Sequence, residues 1–192
     1  MRKHATGLEH ATLGWRRFSR NDQVILALLA VVIGTVVALG AIGFREIIGL
    51  VQKIGFGFST EDVFTRVADL PWWQIVLVPT VGGLIIGTFI YHFMPGRRPQ
   101  GVADVIEAGA LNGGRLSFNT ALKGALVNSA SLGFGASTGR EGPMVHLGGA
   151  FASYIARRAH LNPSLALTLL GCGVAAGVAA SFNAPIAGVF FA

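Results

Sequence analysis

The chain has almost no cysteine and little charge. Cys172 is the single cysteine among 192 residues; that excludes an intrachain disulfide, and no His or Cys stands near it at metal-ligand spacing. It reads as a small packing residue. Charged residues make up only 12% of the chain, about half the share usual in soluble domains. A soluble nucleic-acid binder is therefore excluded, despite a formal net charge of +6. The opening residues, Met1 to His10, lack the apolar run of a signal peptide, so no cleaved leader is expected.

What is abundant is apolar surface and glycine. Apolar residues reach 52%, glycines number 27, and the mean hydropathy is +0.60. Glycine at this density suits helices that pack closely or break inside a bilayer. The composition implies a polytopic, all-α membrane protein with the lipid bilayer as its solvent. Its basic residues gather in the N-terminal tail and short connections, the pattern that sets membrane topology.

Residues 1–22 read as a basic cytoplasmic tail, with Arg2, Lys3, Arg16, Arg17 and Arg20 against Glu9 and Asp22, and with Trp15 and Phe18 at the interface. Ser19 or Asn21 is placed to cap the next helix. Residues 23–192 read as one transmembrane domain. Gln23 to about Gly43 forms the first span, continuing as a long tilted helix through Arg45, Glu46 and Lys53 to Gly57. Ser59 to Asp69 is net acidic and suits the outer face. Trp72 and Trp73 then belt a second span to about Phe93, where Pro79 and Gly82-Gly83 allow a kink. Arg97 and Arg98 bring the chain back inside.

Beyond Gly101 the segments shorten. Val102 to Leu111 cannot cross and reads as a re-entrant helix. Thr120 to Gly135 is a helix of small residues, followed by one from Glu141 to about Arg158 and another from Ser164 to Ala180. Pro185 to Ala192 starts a further apolar helix that stops after about two turns, so a helix cut short is expected. Broken helices at membrane depth are tolerated where protein or a cavity surrounds them, and transporters aim such half-helices at a midplane site.

Chemistry concentrates in residues 135–149. Arg140 and Glu141 stand among glycines, and Pro143 follows where a helix's first turn tolerates proline. Glu141 is therefore expected at a helix N-terminus, with nearby glycines extended or left-handed. Such an end carries unpaired N–H groups and about half a positive charge, and it attracts anions. The Glu141 carboxylate fills that place or yields it to an arriving anion. The competing reading makes Arg140 and Glu141 a structural pair in a surface loop.

Gly139-Arg140-Glu141-Gly142-Pro143 resembles the GREGP signature of the CLC family of chloride channels and proton-coupled chloride exchangers. Gly173 to Gly188, which includes Asn183 and Pro185, resembles the stretch that follows at similar distance in that family. The resemblance covers roughly residues 22–192, the first of two inverted halves of the family fold. It implies a bundle of tilted, short and re-entrant helices in a multi-pass protein of a bacterial-type inner membrane. It also implies a homodimer with one anion pathway per subunit.

On the same resemblance, Glu141 falls on the gating and proton-accepting glutamate. Gly139, Arg140, Gly142 and Pro143 shape its helix start, and Asn183 and Pro185 mark a later one. Gln100, Gly101, Val102 and Ala103 fall on the family's Ser-Gly-Ile-Pro anion-binding turn. Here the chain departs: Gln100 replaces the serine and Ala103 the proline. An amide NH₂ still donates, but it is bulkier than a hydroxyl, so nitrate joins chloride among the expected anions. Arg140 adds positive potential at the outer entrance. No cofactor or metal is implied.

Two rival functions stand beside transport. One is a structural or assembly subunit that keeps the half-fold without transporting. The other is an intramembrane enzyme with Glu141 and His146 as acid and base. Five residues apart on a helix, those two lie on different faces, and no nucleophile or metal set joins them. His146 is expected to pack or hydrogen-bond within the bundle.

Overall fold

The computed structural model describes residues 20–58 and 70–192. Most of the basic tail, with Trp15, Phe18 and Ser19, and the acidic connection 59–69 lie outside the described residues. Among those described, the chain is all-α. Seven helices run in order: α1 (Arg20–Phe56), α2 (Trp72–Phe93), α3 (Val102–Leu111), α4 (Phe118–Gly133), α5 (Glu141–Arg158), α6 (Pro163–Phe182) and α7 (Pro185–Phe191), with one 3₁₀ turn at Pro95–Arg97.

Among the described residues, three segments are long and apolar enough to cross a membrane: Gln23–Phe56, Trp72–Phe93 and Pro163–Phe182. The helix of 37 residues that contains the first extends about 55 Å at 1.5 Å per residue. That exceeds a hydrocarbon core of about 30 Å, so tilt accommodates it. It starts at Arg20, which puts Asn21 inside the first turn rather than at the cap. Its buried positions, Leu26, Ile33, Val37, Ala41, Phe44 and Ile48, recur at helical spacing and form one stripe. Val31, Leu39, Leu50 and Ile54 are all at least 60% exposed, which suits contact with lipid chains.

Helix α5 is the hub. Pro143, Met144, Val145, His146, Gly148, Gly149, Ala150, Ala152, Ser153 and Ala156 are all buried, so it is covered on nearly every side. The stripe of α1 meets Ala152, Ala156, Leu165 and Leu169 in one cluster and Ala125 and Met144 in another. A third cluster joins α3 to α4, α5 and α6 through Val105, Ala108, Ala121, Val145, Leu170 and Val174. Between α5 and α6 the backbones nearly touch. A Cβ on Gly177 would lie 2.6 Å from the Met144 carbonyl oxygen, and one on Gly148 or Gly173 would overlap the other residue's carbonyl.

Two details fill in the sequence reading. Helix α2 runs through Pro79 as one element, and Gly82 serves packing: a Cβ there would overlap the Phe134 side chain. The left-handed glycine before Glu141 is Gly135, at φ 92°, two residues past the end of α4. At the other end of the chain, Asn183 adopts the left-handed C-cap of α6 at φ 53°, and α7 starts at Pro185 and folds back so that Gly188 meets the Ala175 carbonyl.

Candidate functional site

Helix α5 begins at Glu141, with Arg140 as the flanking residue in α-region dihedrals and Pro143 in the first turn, where it forfeits no hydrogen bond. Helix α3 begins at Val102, flanked by an extended Gly101. These two starts meet. A Cβ built on Gly101 would lie 3.9 Å from the Gly142 Cα, and one on Gly142 would lie 3.8 Å from the Gly101 Cα. Glycine at both positions brings two bare backbones together at the positive ends of two helices, where the first N–H groups lack helical acceptors.

Glu141 is half buried beside this meeting point. Its carboxylate turns back over Gly139, where a Cβ would stand 2.5 Å from Oε2. Gly139 therefore leaves space for that side chain. Arg140 is exposed, and it makes no ion pair with Glu141: the one ion pair among the described residues joins Arg98 to Asp104. A structural Arg140–Glu141 pair thus has no support in the geometry. Gln100 is half buried and Val102 likewise.

Sequence reasoning missed the Arg98–Asp104 fork. Arg98 Nη2 donates to Asp104 Oδ1 at 2.6 Å and Nη1 to Oδ2 at 3.1 Å, while the Gly101 N–H donates to Oδ2 at 2.8 Å. Asp104 thereby pins the residue just before α3, and Arg98 offsets its charge, so the positive end of α3 is not cancelled. Both residues lie outside the helices long enough to cross. Burial works to raise the Asp104 carboxyl's pKa, yet the Arg98 and Gly101 hydrogen bonds and the Arg98 charge outweigh it and hold it below the usual carboxylate value. The same hydrogen bond and charge raise Arg98 above its ordinary value. The available signal was an acidic residue at the third position of a helix, half of a capping box.

His146 is 1% exposed, and its Nε2 has no hydrogen-bond partner. It packs in the bundle and forms no dyad with Glu141. Among the described residues no group of three or more His, Cys, Asp or Glu is placed to hold a metal.

A family profile described as "Voltage gated chloride channel" matches residues 82–192. The chain is 38% identical over 167 residues to a ClcB-like chloride channel protein of Ralstonia nicotianae, covering 85% of this chain and 39% of that protein. It is 30% identical over 165 residues to a voltage-gated ClC-type chloride channel, ClcB, of Yersinia pseudotuberculosis, covering 85% and 40%. A ClcB of Escherichia coli is 30% identical over 167 residues, covering 85% and 39%. The chain thus spans about two fifths of the length of the curated relatives it matches.

Proposed function

The chain belongs to the CLC family of voltage-gated chloride channels, an integral membrane family, and from that membership we propose that the complete protein moves chloride or another small anion across a bilayer. The observation that carries this reading is the approach of Gly101 to Gly142. Two helix N-termini that meet through glycine offer an anion several unspent N–H donors and two positive dipole ends. Lipid around such a point makes the alternative, an unsatisfied backbone, costly.

In this reading Gln100, Gly101 and Val102 hold the anion from one side, and Arg140, Glu141 and Gly142 hold it from the other. Glu141 is the gate, and it takes up a proton when the protein works as an exchanger. The complete protein acts as a homodimer in a bacterial inner membrane, with residues 1–22 on the cytoplasmic side. The names of the relatives favour a chloride channel; the placement of Glu141 against an anion site suits proton coupling equally well.

Chloride efflux from liposomes containing the complete protein tests the transport reading. Wild type is expected to release chloride when the membrane potential is clamped. Gly142→Ala, whose new methyl meets Gly101 at ordinary contact distance, is expected to retain flux. Gly142→Val adds two more methyls at a point already in contact, an overlap worth about 1–3 kcal/mol, and should cut flux roughly tenfold. No efflux from wild type, or full efflux from the valine variant, would overturn the assignment.

Gln100 gives a selectivity prediction. A smaller hydroxyl at this position, as in Gln100→Ser, should shift the chloride-to-nitrate flux ratio toward chloride by about threefold or more, the worth of one net hydrogen bond. An unchanged ratio would place the Gln100 amide away from the anion path.

A further inference from the structure

At the opposite ends of α3 and α5 from their meeting point lies a second pocket, open and of about 440 Å³. Helix α3, ten residues long, separates the two places by about 15 Å, so nothing about this pocket depends on the transport reading. Arg115, Arg157 and His160 line it together with Ser153 and the turn around Asn112, and no carboxylate among the described residues does.

The pocket is built rather than incidental. Arg157 Nη1 donates to the Leu116 carbonyl and to Ser153 Oγ, each at 2.9 Å, and Ser153, only 3% exposed, accepts the Leu116 N–H at 3.0 Å. The guanidinium is thereby fixed to the turn that precedes α4. Five donors are available on that group, so others remain for a ligand. Arg115 and His160 are exposed and make no side-chain hydrogen bond to another described residue. A planar guanidinium held at its Nη1, with a second arginine lining the same pocket, matches the oxygens of a phosphate.

Position along the chain narrows the ligand. Helix α6, apolar enough to cross, begins at Pro163 on the pocket's rim. At the same end of α5, the Arg158 guanidinium lies 5.4 Å from the centre of the Tyr154 ring, an aromatic–cation pairing suited to the headgroup layer. The pocket therefore sits at the level of lipid phosphates, open to water. We propose that it binds a phosphate group, carried on an anionic phospholipid or free in the adjoining aqueous phase.

Native mass spectrometry of the complete protein in neutral detergent, titrated with phosphatidylglycerol, is the test. A saturable first adduct is expected, weakened about tenfold in Arg115→Gln/His160→Gln; both side chains are exposed and unbonded, so folding should be kept. Displacement of the lipid by inorganic phosphate would assign the bare phosphate as sufficient; a lipid retained against inorganic phosphate yet lost in the double variant would assign the phospholipid. Arg45→Gln, which removes an exposed cation from α1, should leave the adduct unchanged. The proposal fails if the double variant binds phosphatidylglycerol and inorganic phosphate as wild type does, or if Arg45→Gln weakens binding equally.

Discussion

Gly173→Ala is expected to destabilise the fold by about 3 kcal/mol, while Gly171→Ala two residues away costs nothing. The contrast isolates one cause. At Gly173 a Cβ would run into the Gly148 carbonyl and lie 2.8 Å from the Ala152 Cβ, whereas nothing lies within 4 Å of a Cβ at Gly171. Both positions are interior to α6, so helix propensity favours alanine at each by about 0.5–1 kcal/mol. Only overlap with backbone, which cannot swing away as a side-chain tip can, separates them. Parting α5 from α6 by the needed fraction of an ångström would loosen the hub and its contacts with α1. Overpacking costs about 1–3 kcal/mol, occasionally more, and the backbone contact puts this site at the upper end. Thermal unfolding in detergent, followed by monodispersity, checks it: a lowered midpoint for Gly173→Ala and an unchanged or raised one for Gly171→Ala. Equal midpoints would mean the two helices have slack.

The same close approach marks the boundary of what the sequence made legible. Helices α1, α2 and α6 were readable because a bilayer permits no other backbone state for long apolar runs, and α3 because Gly101 and the Asn112-Gly113-Gly114 turn bracket a segment too short to cross. Glu141 as a helix start followed from Pro143. Partners distant in sequence were not readable from local pattern. That the helix starts at Gly101 and Glu141 face one anion path was implied by the family resemblance and by nothing local in either residue, and nothing in Arg157 says that it holds the Leu116 carbonyl, since each depends on how α3, α4 and α5 stack. Gly82 shows what the local reading leaves out: a glycine near Pro79 allows a bend, and the space it leaves is also filled by Phe134, contributed from beyond α4. Asp104 is the intermediate case, because its position in the helix was a signal and its Arg98 partner was only six residues away.

Glu141→Ala should leave chloride flux intact in the complete protein and remove its dependence on external pH. Placing a charged carboxylate near the bilayer centre costs around 2.5–3.5 kcal/mol on insertion scales, and a helix N-terminus returns up to about 2 kcal/mol in partly buried geometry. With the two effects of similar size, occupation of the adjoining site decides between them. An anion beside a carboxylate favours the protonated form, which on the proposed reading would swing the side chain out of the way and couple protons to anions. Gly139 leaves the space into which it folds, and the absence of an Arg140–Glu141 ion pair leaves it free to move. Alanine has neither charge nor proton, so the pH response and any chloride-driven proton movement should vanish together while passive flux continues. Glu141→Gln, a standing mimic of the protonated acid, should behave as the alanine variant does. Paired chloride and proton flux measurements across pH decide the matter: a pH response or proton coupling that survives in both variants would move the gate to another residue.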